Sequence, residues 1–162
     1  MKKYDQYTFF YNGPFSNWYQ SQFKDMRGRN FLCVEQYMMY NKAMLFQDLK
    51  TAEKIMQTKE PGNQKALGRQ VKNFDATRWN EIAREVVALG CFYKFSQNSK
   101  LYSDLMKTKG TLLVEASPTD TIWGIGLGER DIRILDRKNW QGTNWLGEVL
   151  TDLRDNFLRN NR

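Results

Sequence analysis

A mostly helical α+β domain with a few short strands is the fold that this sequence predicts. Three observations predict it. Long segments carry apolar residues at helical spacing, the longest from Arg78 to Phe95. Only short runs, near the N-terminus and at residues 111–116 and 132–135, are β-prone. The 162 residues suit one domain, spanning 1–162, with a core large enough to need no disulfide.

The elements follow in order. Tyr7 to Tyr11 is a β-prone run, and Asn12, Gly13 and Pro14 end it in a turn. Val34 to Phe46 is predicted as a helix, because Val34, Tyr37, Met38, Asn41 and Leu45 recur at helical spacing. A second helix is expected from Leu49 to Gln57. Pro61 opens a third, since proline is tolerated in a first helical turn. In the long helix Arg78–Phe95, the predicted apolar stripe is Trp79, Ile82, Val86, Leu89 and Tyr93. Asn98 or Ser99 begins a short helix through Met106, and Gly110 separates it from a strand at Thr111–Ala116. Ser117 to Gly128 reads as a glycine-containing loop, and Ile132–Leu135 as a short strand. The last helix is expected from Asn144 to Leu158, with Leu146, Val149, Leu150, Leu153 and Phe157 as its core face.

The chain holds no histidine. That excludes a Ser-His-Asp triad, a Cys-His pair and every HExxH zinc site. Its two cysteines, Cys33 and Cys91, are too few and too far apart in sequence for a cysteine-only zinc site. No metal and no cofactor are expected, so catalysis would use Asp, Glu, Lys, Tyr or Cys. No signal-like segment and no membrane-spanning apolar stretch is present, and a cytoplasmic, reducing location is expected. The net charge of +7 favours anionic partners such as phosphates or nucleic acid. Lys59, Lys65, Arg69, Lys72 and Arg78 concentrate that charge, either as a solvated helix face or as a phosphate-binding one.

Three constellations can carry chemistry. Glu35 and Lys42, seven residues apart on a helix, differ by only about 20° of rotation and share a face. A lysine desolvated there could form a Schiff base, although the same spacing also describes two surface charges. The loop Ala116–Gly128 holds Asp120, Trp123 and three glycines, which permit close backbone approach to a ligand. Its glycines do not form GxGxxG, and Asp120 could equally cap a tight turn. Phe15-Ser-Asn-Trp18 offers the Asn17 amide for a polar ring edge and the Trp18 indole for stacking.

These segments occur together, in this order, in one family. Phe15-Ser-Asn17, Val34-Glu-Gln-Tyr37 with Asn41-Lys-Ala43, and Lys94-Phe-Ser-Gln97 are followed by Leu113-Val-Glu-Ala116, Asp120-Thr-Ile-Trp-Gly124 and Trp140-Gln-Gly-Thr-Asn-Trp-Leu-Gly147. Over nearly its whole length the chain resembles the NADAR family, also called YbiA-like. The resemblance implies an α-rich fold and N-glycosidase chemistry at a ribose C1′–N bond. Two substrate classes are implied: ADP-ribose joined to guanine in nucleic acid or a nucleoside, and ribosylamino-pyrimidine phosphates of riboflavin synthesis. It places catalytic roles on Glu35, Lys42 and Asp120, and a substrate-binding one on Trp123. Phe15, Asn17, Tyr37, Gly124 and Asn144, which lie in the matching segments, and Trp18, which follows the first of them, are further candidates for binding substrate. Arg27, Lys65 and Arg69 are candidates for its phosphates. The residue after the family glutamate is often histidine; here it is Gln36, which keeps a hydrogen bond but shuttles no proton. A positioning role is expected there. A non-catalytic module that binds ADP-ribose, another NAD derivative or nucleic acid is the competing reading, since basic charge and aromatics fit it as well.

Overall fold

The computed structural model describes residues 1–160. In chain order its elements are β1 (Lys2–Lys3), β2 (Tyr7–Phe10), β3 (Phe23–Lys24), β4 (Asn30–Phe31), α1 (Val34–Leu45), α2 (Leu49–Gln57), α3 (Pro61–Gly68), α4 (Ala76–Ser96), α5 (Ser99–Met106), β5 (Leu112–Glu115) and α6 (Trp145–Asn160). Helices dominate and the strands are short, as predicted. The chain divides into two compact units, Asn17–Gln97 and Met1–Ser16 with the chain from Asn98 onward.

In the unit that holds both termini, β2 pairs antiparallel with β1 and parallel with β5, in the order β1-β2-β5. Phe9, Val114, Ala116, Ile125, Leu127 and Ile134 form one buried cluster on this sheet. Helix α6 packs on β5. Gly147 permits the approach, because a side chain there would collide with the Leu113 carbonyl and the Asn144 amide. Thr151 then accepts the Leu113 N–H at 3.0 Å.

Two expectations for this unit need correction. Ile132–Leu135 is a 3-10 turn, not a strand. Asp131 accepts the Arg133 N–H at 3.0 Å and starts the turn, and only Ile134 reaches the core. The face of α6 also holds more than apolar residues. Leu153 and Phe157 are only partly buried, whereas Arg154 is 3% exposed. Its Nη1 donates to the Thr108 carbonyl at 2.8 Å and to the Thr111 carbonyl at 2.7 Å, satisfying backbone acceptors between α5 and β5. Arg154→Ala leaves those buried acceptors open and is expected to destabilise by about 3 kcal/mol. Urea unfolding measures this, and an unchanged midpoint would remove the clasp role.

In the unit Asn17–Gln97, α1 is the central element and packs against α2, α3 and α4. Its first turns are therefore buried all round, from Val34 to Met39. The long helix begins two residues before the predicted Arg78, because the Asp75 carboxylate caps it by accepting the Arg78 N–H. Its buried stripe is rotated from the predicted one. Trp79 and Tyr93 are buried as expected, but Ala83, Val87, Gly90, Cys91 and Lys94 replace Ile82, Val86 and Leu89. Small residues win because they let α1 come close: a Cβ on Gly90 would lie 2.8 Å from the Tyr37 ring.

Candidate active site

Helix α1 carries the Glu35–Lys42 pair. The backbone is extended at Cys33 and turns helical at Val34, which puts Glu35 in the first turn, where the helix dipole favours a negative charge. The Glu35 N–H donates to the Asn17 carbonyl at 2.9 Å, fastening Asn17 to the helix. Glu35 is 3% exposed, so the surface-charge alternative does not hold for it. The Asn17 side chain is buried alongside, and its Oδ1 finds no hydrogen-bond partner among the described residues. An acceptor kept dry without a donor costs free energy that a ligand N–H or O–H would recover.

Two turns further along α1, Lys42 is half-buried, with Nζ 4.4 Å from the centre of the Phe74 ring. Burial lowers its pKa below the ordinary lysine value. The Glu35 carboxylate opposes that shift and Arg69 adds to it. The neutral amine is thus easier to reach than in an ordinary lysine, at a group that the sequence singles out as a nucleophile.

Gln36 occupies the position after the glutamate, is 1% exposed and is hydrogen-bonded at both ends of its amide. Its Oε1 accepts the Leu32 N–H at 2.7 Å, and Nε2 donates to the Ile55 carbonyl at 3.1 Å. It clasps the start of α1 to the end of α2. Tyr37, a candidate for binding substrate, is also a core residue here. Its ring packs among Phe23, Phe31 and Tyr93, and burial raises its hydroxyl to a pKa of about 12.

Sequence reasoning quoted the Lys94-Phe-Ser-Gln97 segment but assigned Lys94 no role. Lys94 is 1% exposed, and burial lowers its amine to about 8, with Cys91 and Cys33 pulling the other way. The rings of Tyr19 and Phe95 lie 5.5 and 5.1 Å from its Nζ. Cys33 and Cys91 are free thiols that burial pushes up to about 11 and 12, so neither supplies a thiolate near neutrality. Below about pH 8, Lys94 is charged in the folded and unfolded states alike and adds no pH dependence. From there to 10.5 the unfolded chain keeps a proton that the folded one has lost, so stability rises with pH. Between pH 7.5 and 9.5 the native chain is expected to gain about 2 kcal/mol relative to Lys94→Met. Urea midpoints at the two pH values test this, and equal gains would mean that Lys94 stays charged when folded.

Two further binding candidates of this unit, Arg27 and Trp18, are exposed. Arg27 sits at the tip of the β3–β4 hairpin, where its N–H donates to the Asp25 carboxylate. Trp18 is 47% exposed and lies against α3, with Lys65 Nζ 5.9 Å from its ring.

The remaining candidates lie in the other unit. Asp120 Oδ1 accepts the N–H groups of Ile122 and Trp123 at 2.9 and 2.8 Å, so this carboxylate shapes the loop after β5. That is the turn-capping alternative, realised. Gly124 is buried where a Cβ would press on the Glu115 and Asp120 carbonyls at 2.9 and 3.0 Å. Its glycine serves packing of the loop. Trp123 is partly buried, edge-on to Trp145 at 5.6 Å. Asn144, at φ 54°, is buried, and its amide bridges the Glu115 N–H and the Leu113 carbonyl. Phe15 is buried edge-on against Phe10. Asn144 and Phe15 therefore stand behind the surface as supports. The structure thus groups Asn17, Glu35 and Lys42 in one unit, and Asp120, Trp123, Gly124 and Asn144 in the other.

Comparison with known proteins adds the following. The family model described as the NADAR domain matches residues 6–158. The chain is 43% identical over 156 residues to "Protein irg-1" of Caenorhabditis elegans, covering 87% of this chain and 74% of that protein. It is 39% identical over 163 residues to "N-glycosidase R617" of Acanthamoeba polyphaga mimivirus, covering 93% and 96%. It is 30% identical over 139 residues to the chloroplastic riboflavin biosynthesis protein PYRR of Arabidopsis thaliana, covering 83% of this chain but 20% of that protein. The NMR structure of the E. coli protein YbiA matches with a TM-score of 0.80 at 25% identity, over 99% of this chain and 89% of that one.

Proposed function

Since the chain belongs to the NADAR domain family and is an N-glycosidase, we propose that the bond it hydrolyses joins the C1′ of ADP-ribose to the exocyclic amine of guanine, in nucleic acid or a nucleoside. The observation that carries the reading is Lys42: a half-buried amine, held below its ordinary pKa, sharing a helix face with the buried carboxylate of Glu35.

The chemistry follows from those groups. The glycosyl nitrogen's lone pair opens the ribose ring to an imine as the ring oxygen takes a proton. The neutral Lys42 amine adds to C1′. The guanine amine leaves with a proton, and the C1′ imine now sits on Lys42. Water adds to that imine, releasing the amine and free ADP-ribose, whose ring recloses. Glu35 moves the protons in these steps. No metal and no cofactor enters. The +7 charge suits a pyrophosphate-bearing substrate, and the free thiols Cys33 and Cys91 suit a reducing, cytoplasmic setting.

Incubation with ADP-ribosylated guanosine tests the reading by release of free ADP-ribose and unmodified guanosine. Tight binding without release under excess substrate would favour a binding module instead. A second enzyme reading rests on the Arabidopsis relative: hydrolysis of ribosylamino-pyrimidine phosphates of riboflavin synthesis. Turnover of such a phosphate in preference to the guanosine adduct would select it.

A further inference from the structure

In the unit that holds both termini, a groove of about 570 Å³ opens between the turn that leads into β5 and the last turns of α6. It shares no residue with the candidate site. The volume falls within the common range for a small-molecule site, roughly 300–1,000 Å³. Its wall includes Arg154, which is 3% exposed. A guanidinium carries its N–H donors in a fixed fork. Here Nε donates to Asp155 at 2.9 Å, and Nη1 donates to the Thr108 and Thr111 carbonyls. Nη2 has no acceptor among the described residues, yet it is not sealed from solvent. Its N–H groups therefore open on the groove that Arg154 lines.

The charge of the lining points the same way. Lys109 and Arg159 line this groove, and both are exposed. Asp155 is the carboxylate in the lining, and Arg154 Nε already engages it. Positive charge is left in excess. Cations near the last turn of α6 also complement its carbonyl end. That role needs no groove, and it leaves the Nη2 donors of a buried guanidinium unmet. Open donors on a buried charge are costly, and an anionic acceptor relieves that cost. Because Nε and Nη1 already hold the fork in place, binding to Nη2 freezes little further motion. Leu112 and Leu158, both partly buried, add apolar surface for the body of a ligand.

We propose that this groove is a second ligand site, which takes a small organic phosphate. The phosphate oxygens accept from Arg154 Nη2, Lys109 and Arg159 supply further charge, and the organic body lies on Leu112 and Leu158. A phosphomonoester suits the site better than a carboxylate, because it brings a charge of about −1.5 to −2 to an excess of cations. The site stands whether or not the chemistry at Lys42 is the one proposed above.

The test titrates phenyl phosphate into the isotope-labelled full chain and follows NMR signals near neutral pH at low ionic strength. The Gly110 and Thr111 amides and the Arg154 Nε–H are expected to shift along a saturable curve, with a Kd of about 1 mM or tighter. The double variant Lys109→Ala, Arg159→Ala keeps the buried clasp of Arg154 and should bind about 10-fold more weakly. Lys42→Ala should leave the three shifts unchanged, which separates this groove from phosphate bound at the reaction site. Inorganic phosphate should bind more weakly than phenyl phosphate, because it has nothing to lay on the two leucines. The proposal is overturned by no shift at the three positions at about 10 mM ligand, or by equal shifts from sodium chloride at matched ionic strength. Binding that the double variant retains in full, or inorganic phosphate bound as tightly as phenyl phosphate, overturns it too.

Discussion

Lys42→Ala is expected to lower the rate of ADP-ribose release from the guanine adduct on the order of 10³-fold or more. The amine is the only protein group in the proposed route that forms a bond to C1′, and an alanine methyl replaces none of that chemistry. Folding should survive, because Lys42 is only half-buried and its contribution to the C-cap of α1 is a backbone carbonyl that alanine keeps. Lys42→Arg should fail as well, since a guanidinium stays protonated. Borohydride added during turnover should reduce the C1′ imine and leave a stable adduct on the native protein alone. A variant without Lys42 that keeps full rate would remove the covalent step. A carboxylate would then activate water directly on an oxocarbenium-like centre, as in glycosidases.

The pH dependence carries a second check with a definite sign. Only the neutral amine attacks, so kcat/KM rises with pH through the pKa of Lys42. Arg69 pushes that pKa down, so Arg69→Ala should move the rising limb to higher pH. Glu35 pulls it up, so removing the Glu35 charge should move the limb to lower pH.

Glu35→Gln is the second large effect, expected to cost about 10² to 10⁴-fold in kcat. The amide preserves size and most hydrogen-bonding capacity but accepts no proton. The buried site at the start of α1 tolerates a neutral group, because losing a charge there removes a desolvation cost. A rate loss with an unchanged unfolding midpoint would therefore assign Glu35 to proton transfer. A rate loss matched by a fall in stability would assign it to structure instead. The shift of the rising limb to lower pH accompanies either outcome, since it follows from loss of the charge alone.

Most elements were legible in the sequence because each is a local pattern. The helix from Val34, the helix Leu49–Gln57 and the short helix capped by Asn98 are written in spacing and capping residues within a few positions. The rotated stripe of α4 was not, because apolar size alone favours Ile82 and Leu89 over Ala83 and Gly90. Closeness to Tyr37 reverses that choice, and closeness is not a local property. The two-residue strands β1, β3 and β4 carry no periodic signal at all. Gln36 and Asp120 show the same limit at the candidate site. Their positions were identifiable, but only the fold shows Gln36 clasping α2 and Asp120 holding loop N–H groups.

The sequence by itself determined the helical, α+β character, the exclusion of imidazole chemistry, and the placing of Glu35 and Lys42 on one helix face. Those follow from residue identity and from 3.6 residues per turn. The tertiary structure alone decided that Glu35 is buried, that the Lys42 amine is biased toward its neutral form, and that Lys94 is an interior lysine rather than a surface one. Burial and the field of neighbouring charges depend on which helices pack together, and packing partners lie far apart along the chain.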